Sequence, residues 1–346
     1  MALDVGSRSV KITCWEILLI SIALFGLFST QATAASFDCK KAATWLEKTV
    51  CSNPELSKLD DEMAKAYSNA LKSLSPEGQK ETKEYQKKWL KEISSYSKAK
   101  QTLKFDDNDK YLKSEYVLKL AYEKRIRSLQ QTLIKFPGRI FRYVHVDYSE
   151  TDKFCNYEFA AKYLVYPQIE NQRDENEKLW NERIFKDAHH DIKLVDKCDD
   201  THDVYDVIFS NKRSISLQHS YYSYAHGTPH GFQSTTSFCW LLEAKRKLEA
   251  SDLFDNKTGW RKKLTALAHP KLKKQLVANG VTYEVEPSTL MEIVTSSDAW
   301  MILKDGLGIQ FNEWSFGNRV NTILITIDWK TLDPYLSKNG RSLIND

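Results

Sequence analysis

No run of apolar residues in this chain reaches the length of about 20 that a bilayer core demands. The longest, Ile17 to Phe28, falls short, and Glu16 blocks its extension toward the N-terminus. Neither sign of charge dominates: 50 Lys and Arg against 46 Asp and Glu leave a formal +4 over 346 residues. Neither a basic stripe nor a high net charge marks a nucleic-acid binder. No C-x-x-C spacing occurs, which removes zinc-ribbon and thioredoxin-like chemistry. There is no G-x-S-x-G, no H-E-x-x-H and no phosphate-cradling glycine loop. Ser95-x-x-Lys98 and Lys257-Thr258-Gly259 echo penicillin-binding motifs, but they fall in different halves without Ser-Asp-Asn between them, so they read as chance. The Asp60-Asp61 pair sits beside a helical turn and reads as a solvated face rather than as acid-base machinery. No cofactor is expected, and enzymatic chemistry finds little foothold.

What is present points first to export. Arg8 and Lys11 precede the apolar run, and Ala32-Thr33-Ala34-Ala35 follows it, the three parts of a secretory signal over residues 1–35. An uncleaved anchor is the alternative. Ser36-Phe37-Asp38 before Cys39 is no lipobox. Beyond the leader stand Cys39, Cys51, Cys155, Cys198 and Cys239, which should pair in an oxidising compartment and leave one over. Cys39 and Cys51 are twelve apart, a loop whose closure stabilises by about 3 kcal/mol. Cys155 and Cys198 flank a helical stretch and form the second expected bond, with Cys239 free or paired across two chains.

The remaining chain, about 310 residues, suits two domains of about 150. Residues 36–136 read as helices. Leu56, Leu59, Met63, Tyr67, Ala70 and Leu74 share one helical face, with Asn53 as N-cap and Pro54 in the first turn. Ser75-Pro76-Glu77-Gly78 interrupts before a helix through Tyr85, Trp89 and Ile93, and Asp106-Asp107-Asn108-Asp109 reads as a solvated loop. A third helix carries Leu118, Tyr122, Ile126 and Leu129, and Pro137-Gly138 reads as the linker that closes this half. In residues 137–346, strand-like alternation marks Ile140 to Tyr148, Val204 to Phe209, Ser214 to Tyr224 and Asn321 to Trp329. Helical stretches lie at Asp174 to His189, Thr258 to Leu276 and Ser288 to Thr295. The expected class is α+β: a helical domain, then an α+β domain with a mainly antiparallel sheet.

In the helical half, Phe37-Asp38-Cys39, Ala42, Glu47, Val50-Cys51, Pro54, Leu56, Leu59-Asp60, Tyr67, Gln86, Trp89-Leu90, Tyr122, Arg125-Ile126 and Leu129 stand in an order that resembles the LprI-type lysozyme-inhibitor family. Two further cysteines of that family correspond to about Tyr96 and Val117, as the loss of one disulfide would leave. The second half resembles the C-terminal domain of RsiV-type anti-sigma factors. It does so through Tyr166-Pro167-Gln168-Ile169, Arg213-Ser214-Ile215-Ser216-Leu217, Tyr222-Ser223-Tyr224, His230-Gly231, Leu253-Phe254 and Gly306 to Phe311. Both resemblances imply a link to lysozyme.

The most unusual stretch is Tyr222 to Gly231. Tyr222, Tyr224, His226, Gly227, His230 and Gly231 are the candidate binding residues, since tyrosines make good contacts at little entropic cost and glycines permit unusual backbone shapes. A structural hairpin whose histidines satisfy local hydrogen bonds is the alternative. His226 with His230, and His189 with His190, lack the spacing that places two ligands on one metal. The expected activity is an exported, non-catalytic envelope protein, periplasmic or secreted, that contacts lysozyme or another cell-wall hydrolase and inhibits by covering its cleft. Expected membrane contact is limited to the signal segment during export, and no nucleic acid is expected. A glycan-binding structural or sensory protein and a peptidoglycan-acting enzyme are the rival readings.

Overall fold

The computed structural model describes residues 35–102, 114–150, 160–194, 199–281, 285–312 and 322–345. The expected signal segment except Ala35, the acidic stretch Asp106 to Asp109 and the expected Cys155–Cys198 bond lie outside the described residues. The chain divides into two compact units, Met1–Lys65 with Glu92–Arg125, and Ala66–Lys91 with Ile126–Asp346.

Four helices come first: α1 (Trp45–Ser52), α2 (Pro54–Ser73), α3 (Pro76–Thr102) and α4 (Ser114–Gln130). In the first unit, α1 begins with a capping box. The Glu47 carboxylate accepts from the Thr44 N–H at 2.8 Å while the Thr44 hydroxyl accepts from the Glu47 N–H at 3.2 Å. Asn53 caps α2 as its sequence predicts, accepting from Glu55 N–H at 3.0 Å and Leu56 N–H at 3.2 Å. The Cys39–Cys51 disulfide is closed, with a Cα–Cα distance of 5.8 Å. Asp60 departs from its expected solvated role. It is buried and accepts from the Tyr122 hydroxyl at 3.0 Å, the Ser36 N–H at 2.9 Å and the Ser36 hydroxyl at 2.6 Å. A carboxylate on the apolar side of a helix is kept there by these three donors. Burial and then the Asp60 charge push the Tyr122 phenol well above its ordinary range, so it stays a donor.

The second unit is built on a seven-stranded sheet of β1 (Leu133–Phe136), β2 (Arg139–Glu150), β3 (Ala160–Ile169), β4 (Asp199–Ser210), β5 (Ser214–Ala225), β6 (Phe232–Leu241) and β7 (Arg246–Lys247), in sequential order. Every pairing is antiparallel except β3 with β4, which is parallel and joined by the crossover helix α5 (Glu175–Leu194). Pro137-Gly138 is therefore the turn of the β1–β2 hairpin rather than a linker, with Gly138 at φ +81°. α5 places Trp180, Ile184 and Ala188 over Leu164, Tyr166, Tyr205, Val207, Ile215 and Leu217 to form one core.

After the sheet come α6 (Ala250–Leu253), α7 (Trp260–Ala278), α8 (Pro287–Thr295), the antiparallel strands β8 (Trp300–Ile302), β9 (Gly306–Phe311) and β10 (Ile323–Asp328), then α9 (Trp329–Leu332) and α10 (Lys338–Ile344). Their core gathers Phe254, Trp260, Leu264, Trp300, Ile309 and Ile325 around Cys239 of the larger sheet. Phe254 and Trp260 stack at 4.6 Å, and Trp300 meets both edge-on. Cys239 is the free cysteine among the described residues, and it is buried.

Two buried ion clusters tie the second unit together. Arg139 meets Glu177 at 2.9 Å, and Glu177 also receives Arg173 at 2.5 Å. Arg142 meets Glu170 at 2.9 Å and Glu81 of α3 at 2.6 Å. Glu170 in turn accepts the N–H of Ser75 ahead of α3. Gly78 allows this approach, since a Cβ there would lie 2.8 Å from the Glu170 carboxylate.

Candidate functional site

Cross-strand pairing decides which residues share a face. On β5, Ser216, Gln218, Ser220, Tyr222 and Tyr224 point one way by the two-residue strand period. The small sheet covers the near end of that face. Ser216 donates to the Ile302 carbonyl at 2.7 Å, and the Gln218 amide donates to Gln310 at 2.9 Å. The far end emerges, and Tyr222 there is 39% exposed.

Register carries this face across four strands. His202 pairs with Tyr222 and Tyr163 with His202, while His145 sits one diagonal step away on β2. Their rings form a continuous row. His145 Nδ1 lies 2.9 Å from the Tyr163 hydroxyl, Tyr163 meets His202 edge-on at 5.6 Å, and His202 meets Tyr222 edge-on at 6.2 Å. These separations fall in the favourable range for edge-to-face rings. At the hairpin, Asp200 pairs with Tyr224, and its carboxylate lies 3.1 Å from His226 Nε2. The Tyr224 and His226 rings are 5.7 Å apart.

The six candidate residues thus fall together on the β5–β6 hairpin, and its two glycines have definable tasks. Gly227, at φ +90°, supplies the left-handed residue of a tight turn closed by Thr228 N–H on the Ala225 carbonyl at 3.1 Å. Gly231 lies under Tyr222, where an added Cβ would be 2.6 Å from the phenol oxygen and 2.7 Å from the Ser223 carbonyl. The Thr228 hydroxyl donates to the Ala225 carbonyl at 2.7 Å. Sequence reasoning missed His145, Tyr163, Asp200 and His202. Only the second-residue spacing of Asp200 and His202 in β4 was there to find, because the rest depends on register.

The opposite face differs in kind. Asp203, 1% exposed at its side chain, meets His219 Nε2 at 2.5 Å, and His219 stacks on Tyr205 at 4.0 Å. Tyr143 is instead on the row's own face, two residues before His145 on β2; burial pushes its phenol up to about 12, and its oxygen accepts the Val207 N–H at 2.9 Å. On that same face Asp206, which pairs with Gln218, has its carboxyl raised by burial, partly offset by its bond from Tyr143.

A cleft of about 760 Å³ opens between the N-terminal part of α3, α5 and the strands β2 and β3. Tyr85, Tyr166 and Phe185 give it aromatic walls, with Glu84, Glu182 and Gln172 among its polar groups. Phe185 stacks on His189 at 4.0 Å, which assigns that histidine to packing. Among the described residues no group of three His, Cys, Asp or Glu is placed to hold a metal ion. No helix among them is long and apolar enough to cross a membrane.

No family model matches the chain, and no curated protein matches it. Among solved structures it is similar to a member of the DUF3298 family from Bacteroides fragilis, at 13% identity and a TM-score of 0.46, over 61% of this chain and 99% of that one. It is also similar to a DUF3298 family protein from Pseudomonas aeruginosa, at 10% identity and a TM-score of 0.41, over 57% and 95% of the two chains.

Proposed function

We propose that this is an exported, non-catalytic binding protein of the cell envelope, periplasmic or secreted, that engages a lysozyme-like cell-wall hydrolase through the open end of the large sheet. The observation that carries the reading is the row His145, Tyr163, His202, Tyr222, which ends on an exposed tyrosine beside a glycine-shaped hairpin. Rigid aromatic side chains of this sort anchor protein interfaces. The LprI-like and RsiV-like order of residues supports the partner class, and the closed Cys39–Cys51 bond supports an oxidising compartment. Calorimetric titration against lysozymes of several classes tests the idea. Tyr222→Ala should weaken binding by about 2 kcal/mol, or roughly thirtyfold, without lowering the melting temperature. Absence of binding by the wild type to any of them sinks the lysozyme reading.

A second reading, glycan binding, is favoured by the α3–α5 cleft, whose aromatic walls and convergent carboxylates and amides match the polar and apolar faces of a sugar. Titration with soluble peptidoglycan fragments, compared between wild type and Phe185→Ala, separates it from the first.

A further inference from the structure

We propose that the outer face of α7 is a docking surface for an anionic phospholipid membrane. The helix holds Arg261, Lys262, Lys263, Lys271, Lys273 and Lys274 and not one Asp or Glu in its 19 residues. Six cations on one helix exceed the formal +4 of the whole chain, so the charge is local and was hidden in the overall balance. The expectation that no basic stripe exists is corrected by this helix.

The arrangement is amphipathic twice over. Trp260, Leu264, Ala268, Leu272 and Leu276 form the buried stripe, recurring every four residues against the C-terminal core. On the opposite side Ala266, Pro270 and Val277 make an exposed ridge. By helical spacing Lys262 and Lys273 flank the ridge on one side, and Lys263 and Lys274 on the other, all exposed. Val277 is 65% exposed, more than any other large apolar side chain among the described residues. No ion pair holds these four lysines among the described residues, in contrast to the paired surface cations Lys58, Lys119 and Arg183. Lys271 is the cation near a carboxylate, that of Asp328, which is held low mainly by its Thr331 hydrogen bond. Arg261 lies over the Trp260 ring at 4.4 Å.

A merely solvated helix face mixes both signs of charge, and this one does not. A nucleic-acid surface favours arginine and polar side chains along a phosphate track and has no use for an apolar ridge between lysines. Lysines that snorkel around a shallow apolar ridge suit the interface of an anionic bilayer, where each contributes attraction and the ridge enters the headgroup layer. The surface uses none of the residues of the sheet row or the α3–α5 cleft, so it stands apart from the proposed hydrolase site.

Co-sedimentation with vesicles tests the proposal. The full-length protein should bind vesicles containing phosphatidylglycerol more tightly than pure phosphatidylcholine at 0.1 M salt, and that excess should vanish at 1 M salt, because screening shortens from about 10 Å to about 3 Å. Because Ile17 to Phe28 is itself apolar, the decisive comparison is between full-length wild type and variants that retain it. Each lysine removed in Lys262→Gln, Lys263→Gln, Lys273→Gln and Lys274→Gln should weaken the phosphatidylglycerol-dependent part of the partitioning about fivefold, so the quadruple variant should lose its preference for phosphatidylglycerol. Val277→Ser, with every lysine kept, should weaken it as well. Unchanged binding by the quadruple variant, equal binding to phosphatidylcholine, or no binding to phosphatidylglycerol overturns the proposal. Tighter binding to a short DNA duplex that Val277→Ser leaves unaltered also overturns it, and marks the helix as a nucleic-acid surface.

Discussion

Replacing Arg142 by methionine would show whether the buried ion cluster positions the wall of the cleft. The Arg142 and Glu170 side chains are 5% and 2% exposed, whereas Glu81 is 40% exposed. Removing Arg142 leaves the Glu170 carboxylate buried without its cation, a situation that costs about 3–5 kcal/mol. The exposed Glu81 arm adds at most about 1 kcal/mol. For a unit of this size, each kcal/mol moves the melting temperature by about 2–4 °C. Arg142→Met with Glu170→Met should recover most of the loss, because apolar groups of similar volume replace a desolvated pair at little cost. The deficit that remains is the bond from Ser75 N–H at the start of α3, about 1 kcal/mol. Urea unfolding followed by tryptophan fluorescence reports on this unit, since Trp180, Trp260 and Trp300 are fully buried in it. A single variant within about 1 kcal/mol of wild type would refute the reasoning, as would a double variant no better than the single one.

Two further perturbations have definite expected outcomes. Serine at both Cys39 and Cys51 should destabilise the first unit by about 3 kcal/mol in a denaturant titration, the loop-closure entropy of a twelve-residue span; a shift under about 1 kcal/mol contradicts that. Acid titration of stability should expose Glu177 and Asp252. Burial pushes both carboxyls up, but hydrogen bonds from Arg173 and Arg246 more than offset it and leave them below their ordinary 4.5 and 3.8. A depressed folded-state pKa means the contribution is full above those values and is lost as pH falls through the lower folded ones, so Glu177→Gln should flatten the acid limb. An unchanged limb speaks against the assignment.

The fold was legible wherever one face of an element meets water. The faces read for α2, α3 and α4 carry Leu56, Met63, Ala70, Trp89, Ile93, Leu118 and Tyr122 as buried residues. The alternation from Asn321 to Trp329 became β10, with Ile323, Ile325 and Ile327 inside. Strands without that contrast were invisible: all six residues of β9 are buried, so no alternation survives. β3 entered only at its end, through the family resemblance of Tyr166 to Ile169, and it carries a proline, which ordinarily demotes a strand. Pro167 in fact pairs with Tyr143 and lies beyond the four residues that pair with β4. The candidate site was half legible. Tyr222 to Gly231 is contiguous, but its continuation through His202, Tyr163 and His145 is created by strand register, which no local pattern encodes. The lysines of α7 were in plain view, yet a near-neutral total concealed their one-sided arrangement.

The free thiol of Cys239 turns this architecture into its own timekeeper. Burial pushes it up to about 11, and it stands where the large sheet meets the C-terminal core, among Leu241, Leu253 and Trp300. A thiol so placed reacts with an alkylating reagent only when those layers part. Peptide-resolved labelling at Cys239 therefore counts openings of the second unit under native conditions. A ligand that grips the sheet alone should slow that count only insofar as it holds the two layers together.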